Sequence, residues 1–190
     1  MPLMLHTPAT ALAVSPSEAK LHLRVDASEE DTLIAALINS ATLDAEHIMG
    51  RAVMPQKWVL TLDEFEDSIS LSRPRVTAID SIKYVDSSTG SLTTIDPSDY
   101  QLAAASEYGA RVVPAFGKCW PSARAQPEAV QIIFTAGYVD AASVPETVKS
   151  WVLLRVGALY ANREAWTLGQ KIERNEFVDG LLDRYRVWGN

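Results

Sequence analysis

The sequence has little of what most catalytic, metal-binding or disulfide-linked proteins need. Its single cysteine, Cys119, excludes a disulfide within the chain, and we expect that thiol to be a small buried hydrophobe. The three histidines, His6, His22 and His47, lie on separate segments without acidic or cysteine residues at ligand spacing. Isolated glycines form no phosphate-binding loop, and no Gly-x-Ser-x-Gly elbow occurs. The sequence therefore predicts no catalytic residue, no metal site and no cofactor.

Positive charge is also scarce. The chain has 17 Lys and Arg against 24 Asp and Glu, which gives a net charge of -7. Proteins that bind nucleic acid concentrate Lys and Arg, so this balance disfavours a DNA-binding regulator. Solubility through net charge is the simplest interpretation, and contact with DNA through repulsion, as along a channel wall, stays open.

Long apolar runs are missing as well. No run approaches the roughly 20 apolar residues that span a bilayer. The N-terminus lacks the basic start and continuous apolar core of a signal peptide. The hydrophobic fraction of 47% and charged fraction of 22% are those of a globular protein with a core. We expect a soluble protein that is made and used in a cytoplasm and has no membrane partner.

Two helices are predicted near the N-terminus. Ser15 is the expected N-cap of the first, with Pro16 at the first helical position and Glu18 completing a capping box. The second is expected to start at Ser28 and to continue through apolar residues spaced by three and four. Gly50 is its expected C-terminal cap.

After residue 55 the pattern changes to the alternation of antiparallel strands. Trp120 lies in the loop before the last predicted strand. Because a Trp side chain buries on the order of 200 Å², we expect it to be a structural peg. The predicted strands cover residues 58–62, 69–71, 76–85, 92–95, 100–102, 111–113 and 130–134.

Helical patterns return after residue 140. Ser143 is the expected N-cap of a helix that reaches Asn162 and is apolar around much of its circumference, so it needs burial on several sides. A neighbouring subunit is one candidate for that burial. A last short helix is expected from Glu176 to Tyr185. The tail, Arg184 to Trp188, is basic and aromatic, and it is either an interface anchor or a terminus folded back onto its own core.

These segments predict an α+β fold, in which a helical bundle of N-terminal and C-terminal helices carries an inserted small antiparallel β unit. We expect one composite domain with four parts. They are residues 1–14, an arm that orders only against a partner; residues 15–54, the N-terminal helices; residues 55–140, the β unit; and residues 141–190, the C-terminal helices and tail.

Several short motifs occur in a characteristic order. They are the opening run SPSEAKLHLRV from Ser15, Arg73-Pro74, Ile82-Lys83-Tyr84, Pro97 to Tyr100, Trp120-Pro121, Thr135-Ala136-Gly137-Tyr138, Val144-Pro145, and Tyr160, Arg163 and Glu164. In this order and spacing, the sequence from Ser15 to Trp188 resembles the head-tail connector, or adaptor, proteins of long-tailed bacteriophages and gene transfer agents.

The resemblance implies a structural, non-enzymatic role. Members of that family form a ring of typically about twelve copies beneath the portal, extend the DNA channel and provide the docking surface for a stopper or tail. The implied partners are other copies of the chain, the portal protein, a stopper or tail-completion protein, and DNA that passes without sequence-specific binding. The implied location is the neck of a virion or virus-like particle that is assembled in the cytoplasm of a host bacterium.

Three sets of residues acquire hypothetical roles from the resemblance, and the hairpin of residues 86–92 is a candidate for the second flank of a ring contact. The channel-lining set is Asp63, Glu64 and Glu66; the subunit-interface set is Trp151, Arg155 and Tyr160; and the portal-binding set is Arg184, Tyr185, Arg186, Val187 and Trp188.

Two other functions stay open. A stopper or tail-completion protein is the first, although such proteins are more often small β-barrels, and the long helices at both ends disfavour it. The second is a small cytoplasmic ligand-binding domain or enzyme. It would need a pocket with converging polar groups, and the sequence contains no recognisable set.

Overall fold

The computed structural model describes residues 2–162 and 176–187. It divides the chain into two compact units. The sheet unit consists of Met1–Thr10 and Pro55–Gly137, and the helical unit consists of Ala11–Met54 and Tyr138–Asn190. Whether the two units constitute one composite domain stays a prediction.

The sheet unit contains two antiparallel sheets. A five-stranded sheet has the order β1-β2-β8-β4-β5, and a three-stranded sheet has the order β3-β7-β6. The strands are β1 (Leu3–Thr7), β2 (Gln56–Leu62), β3 (Ile69–Leu71), β4 (Val76–Val85), β5 (Leu92–Thr94), β6 (Tyr100–Ala103), β7 (Ala110–Pro114) and β8 (Val130–Ala136).

The core of the sheet unit follows the alternation of β8. Every second residue of this strand is buried, because successive side chains of a strand point to opposite faces of its sheet. Ile132 lies opposite Leu60 of β2 and Ile82 of β4, and Phe134 lies opposite Trp58 and Ile79 of the same two strands. Both β8 side chains are completely buried. The central strand therefore places one apolar row across three strands.

The prediction of an N-terminal arm that orders only against a partner is wrong for β1. Leu3–Thr7 pairs antiparallel with β2 of the same chain, with Leu3 opposite Leu60 and Leu5 opposite Trp58. Its side chains are mostly exposed, so the local sequence lacks the half-buried alternation by which strands are recognised. The backbone hydrogen bonds offered by the edge of β2 decide its conformation.

The described part of the helical unit contains four helices. They are α1 (Pro16–Leu23), α2 (Asp31–Met49), α3 (Glu146–Ala161) and α4 (Glu176–Asp183). None of them is long and apolar enough to cross a membrane. The predicted capping box is confirmed, because the Ser15 hydroxyl accepts from the Glu18 amide and the Glu18 carboxylate accepts from the Ser15 amide. Gly50 caps α2 with a φ of 71°, as predicted.

Two predicted helix starts are displaced. The N-cap of α2 is Glu30 rather than Ser28, and it makes no capping hydrogen bond through its side chain. The N-cap of α3 is Pro145 rather than Ser143. The Ser143 hydroxyl instead donates to the Asp140 carboxylate at 2.6 Å, which holds the turn before the helix. In this turn a local side-chain contact replaces the cap.

One face of the α3 helix is buried by its own unit. It packs against the other three helices, and the buried positions are Val148, Trp151, Val152 and Val156. An α+β fold with antiparallel sheets is confirmed. The description as a helical bundle fits the helical unit alone, since the described chain is rich in strands.

Replacing the α1 cap tests the local account of the helical unit. Ser15→Ala should lower the free energy of unfolding by about 1 kcal/mol at neutral pH, because an N-cap hydroxyl satisfies a free helix amide. Hydrogen bonds from the Ser15 hydroxyl and amide lower the pKa of Glu18. The stabilisation from these two bonds is therefore present at pH values above the usual pKa of a glutamate and is lost as the pH falls through the lowered pKa. Urea unfolding at neutral and acidic pH measures the difference. Ser40→Ala, an exposed change within α2, is the control; an equal loss at both pH values would contradict the capping account.

Candidate assembly surfaces

The acidic residues predicted to line a channel lie on one loop between β2 and β3. We call residues 63–67 the acidic loop. Asp63, Glu64 and Glu66 are exposed, and within the described chain none of them has an ion-pair partner. The loop therefore presents uncompensated negative charge to solvent.

Trp120 holds the acidic loop in place. Its ring stacks on Phe65 with the ring centroids 5.0 Å apart and the planes 9° from parallel. Its indole N–H donates to the Glu66 carbonyl at 2.8 Å. Phe65 also meets the edge of Tyr84, with centroids 5.8 Å apart. Trp120 thus acts as the predicted peg, and it turns the one aromatic residue of the loop inward while the carboxylates stay outside.

The surface near this peg is concave. A recess of about 670 Å³ is lined by Glu64, Asp67, Lys118, Cys119 and Trp120 among others. The thiol of Cys119 is exposed, so the prediction of a small buried hydrophobe is wrong, because its loop lies at the surface. No three His, Cys, Asp or Glu side chains of the described residues are grouped so as to hold a metal ion.

The β4–β5 hairpin has a turn organised by one carboxylate. Asp86 Oδ1 accepts from the Ser88 amide at 2.8 Å, from the Ser88 hydroxyl at 2.5 Å and from the Thr89 amide at 2.9 Å. The Gly90 amide closes the turn on the Asp86 carbonyl at 2.8 Å, with a φ of 68° that suits glycine. These donors, the Ser88 hydroxyl first, lower the pKa of Asp86 to about 2.

Removing the first of those donors should raise this pKa. In Ser88→Ala the pKa of Asp86 should move from about 2 toward 3.8. Because a protonated carboxyl group accepts these hydrogen bonds less well, the turn of this variant should loosen at a higher pH than the turn of the wild type. Carbon-detected NMR titration of the carboxyl group measures this pKa directly. Ser87→Ala, which leaves both Ser88 donors in place, should not change the value. An Asp86 that titrates near 3.8 in the wild type would contradict the geometry.

The three residues of the predicted subunit interface differ in exposure. Trp151 is only 2% exposed, so its side chain belongs to the core of the helical unit. Arg155 is exposed and forms an ion pair with Asp44 of α2, with its Nη2 at 2.9 Å from the carboxylate. Tyr160 is half-buried and donates its hydroxyl proton to Glu30. The surface thus offers Arg155 and Tyr160, each already held by an acidic residue.

The described tail folds back onto the end of α2. The Val187 amide donates to the Met49 carbonyl at 2.8 Å, and Arg186 Nε donates to the Ile48 carbonyl at 3.1 Å. The Arg51 guanidinium lies 5.8 Å from the centroid of the Tyr185 ring. These contacts satisfy carbonyls that a helix end leaves free. For residues 185–187 the structure therefore shows a terminus that is folded back onto its own unit. Trp188 lies outside the described residues.

Exposed apolar groups were missed by sequence reasoning. Phe116 is fully exposed at the tip of a turn that the Lys118 amide closes on the Ala115 carbonyl at 2.9 Å. The sequence feature that indicates such an exposed tip is a phenylalanine directly before Gly117, a turn glycine with a φ of 74°. Met4 and Leu5 of β1 and Leu92 of β5 are also exposed, at the two edges of the larger sheet.

One part of the chain matches a known protein family. Residues 17–85 match the family described as Phage gp6-like head-tail connector protein. The match covers α1 from its second residue, α2 and the strands β2, β3 and β4, which is about a third of the chain. The resemblance to head-tail connectors predicted from the sequence is thereby confirmed. Curated protein sequences contain no match.

Solved structures share the fold over the full length. A chain from the virion of a native gene transfer agent particle is similar with a TM-score of 0.78 and 21% identity, over 100% of this chain and 97% of that one. A chain from the neck of an empty particle, computed with C6 symmetry, has a TM-score of 0.77 and 22% identity over the same shares. A chain from the neck of a native particle, computed with C12 symmetry, has a TM-score of 0.77 and 21% identity, again over the same shares. The connector match points to a structural, non-enzymatic protein.

Proposed function

We propose that this protein is the head-tail connector, or adaptor, in the neck of a phage-like or gene transfer agent particle. It forms a ring beneath the portal, extends the DNA channel and provides the docking surface for the stopper or tail. The observation that carries the proposal is the agreement between the connector match of residues 17–85 and the full-length likeness to a chain from a neck computed with C12 symmetry. That symmetry supports a ring of about twelve copies.

The acidic loop is proposed to line the channel. Its exposed carboxylates carry no compensating cation from the described chain, so they repel the phosphates of passing DNA. Repulsion keeps the DNA from binding to the wall. Salt screens this repulsion, and at 0.1 M ionic strength little of it remains beyond about 10 Å. The Trp120 peg supports this role because it fixes the loop on the sheet unit.

The ring contact is proposed to use Arg155 and Tyr160 on one flank and the hairpin of residues 86–92 on the other. Arg155 is exposed beside Leu154, which is 39% exposed, and together they offer charge and apolar area to a neighbour. Trp151 contributes indirectly, since its burial fixes the position of α3.

The tail is proposed to meet the portal with the side that faces away from α2. Arg184 is exposed, and the side chains of Tyr185, Arg186 and Val187 are half-buried, so part of each is available while the contacts with α2 are kept. Trp188 is included in this proposal from the sequence alone.

Light scattering with the purified portal ring tests the proposed function. The protein is measured alone and mixed with the portal of its own particle, and the mass of the complex gives the number of bound copies. We expect free protein to join the portal as a ring of about twelve copies. A chain that stays unbound at a large excess over the portal would contradict a connector role.

A further inference from the structure

The two edges of the five-stranded sheet carry backbone groups without partners in the described chain. On β1, the Pro2 carbonyl accepts from the Thr61 amide at 3.1 Å, and Met4 lies opposite Val59 in the same register. Hydrogen-bonded and non-hydrogen-bonded pairs alternate along an antiparallel ladder. The N–H and C=O groups of the intervening residues, Leu3 and Leu5, therefore point away from β2 toward the open edge.

The opposite edge has the same arrangement. On β5, the Asp86 amide donates to Ser91 and the Ile95 amide donates to Ile82, both at 2.9 Å. By the same alternation, Leu92 and Thr94 direct their N–H and C=O groups away from β4. Each edge therefore offers two outward residues that are spaced two apart.

We propose that β1 of one copy pairs with β5 of the next, so that the five-stranded sheets continue from subunit to subunit around the ring. The inference rests on the proposed connector function and adds a backbone contact between sheet edges to the contact proposed above for Arg155, Tyr160 and the hairpin of residues 86–92. A closed ring needs two different, complementary patches on each subunit, and the two edges of one sheet meet that requirement.

A second copy is the partner that these edges fit. Neither β1 nor β5 contains Asp, Glu, Lys, Arg or Pro, the residues with which exposed sheet edges usually block pairing, so no like charges oppose each other across the new ladder. Met4, Leu5 and Leu92 are about half exposed, and pairing of the edges would cover their aliphatic side chains.

The short edges also limit the strength of the contact. Two outward residues on each strand allow only a few backbone hydrogen bonds, and each adds little net stability in water. Free copies should therefore stay monomeric, and pairing should become stable when the portal holds copies side by side. The contact then depends on the high effective concentration at the portal.

Proline substitutions test this pairing, because they remove one outward N–H without removing a hydrogen bond inside the subunit. Thr94→Pro blocks the β5 edge and Leu5→Pro blocks the β1 edge, while Thr94→Val and Leu5→Val keep the amides and serve as controls. Circular dichroism checks that each variant is folded. Light scattering and electron microscopy with the portal then count the bound copies. Either proline should abolish the closed ring, and both valine variants should form it.

Mixing the two proline variants separates the possible pairings. Each variant keeps the edge that the other lacks, so on the portal they should form side-by-side pairs and no closed ring. Hydrogen exchange in the wild-type ring should slow the amides of Leu3, Leu5, Leu92 and Thr94 by about tenfold or more relative to the free chain. Closed rings from folded Thr94→Pro, or unchanged exchange at these amides, would overturn the edge pairing and leave the connector function standing. Wild-type protein that ignores the portal would instead contradict the connector function.

Discussion

Phe134→Ala should lower the free energy of unfolding by about 3–5 kcal/mol, the largest single-residue effect that we expect in this protein. The side chain is completely buried on the central strand and lies opposite both Trp58 and Ile79. Truncation removes the apolar area of the ring and leaves a cavity between the side chains of its two cross-strand neighbours, because the surrounding structure can close only part of the space. Urea unfolding followed by tryptophan fluorescence measures the loss.

Phe116→Ala is the matched control for this prediction. It makes the same chemical change in the same unit at a fully exposed position, so the free energy of unfolding should change by no more than about 0.5 kcal/mol. Similar losses for the two variants would contradict the assignment of the core to β8 and its neighbours.

Ending the chain after Asp183 should lower the free energy of unfolding of the helical unit by about 2–3 kcal/mol. The truncation removes the hydrogen bonds from Val187 and Arg186 to the last carbonyls of α2, each worth about 1 kcal/mol. It also removes the Tyr185 ring from the buried Arg51 guanidinium, which costs about 1 kcal/mol more. Calorimetry or hydrogen exchange at the amides of α2 measures the loss.

A shorter truncation separates the two proposed roles of the tail. Ending the chain after Val187 keeps all the tail contacts with α2 that the described residues make, so we expect the stability to stay within about 0.5 kcal/mol of the wild type. If this variant binds the portal weakly, the last three residues contribute directly to portal binding. Normal portal binding by a folded chain ending at Asp183 would contradict the portal-binding role of residues 184–188.

Much of the fold follows from local pattern. The alternation of residues 130–136 predicts the central strand, and the sequence of Ser15, Pro16 and Glu18 predicts the capping box, because both depend on neighbours within a few residues. The β1 strand could not be predicted in the same way. It has almost no buried side, and its partner, β2, lies more than fifty residues away.

The assembly surfaces were harder to predict than the fold. The exposure of the acidic loop follows from its charge, but the stacking of Trp120 on Phe65 joins loops that are 55 residues apart and has no local signal. The α3 helix is apolar on too many sides to show which face is buried. The sequence therefore predicts Trp151 at an interface, whereas in the structure its side chain is buried within the helical unit and Arg155 is exposed. Local pattern indicates that a helix is buried, and only packing decides which side chains remain outside.

Electron cryomicroscopy of the neck of the particle that contains this protein is the most direct test of the central claim. The account predicts a ring of about twelve copies of this fold directly beneath the portal, with the acidic loops facing the channel and continuous sheet density between neighbouring subunits. A neck with a tail attached and no density for this chain between portal and tail would contradict the connector function. A ring whose acidic loops all face outward would contradict the channel-lining role of Asp63, Glu64 and Glu66.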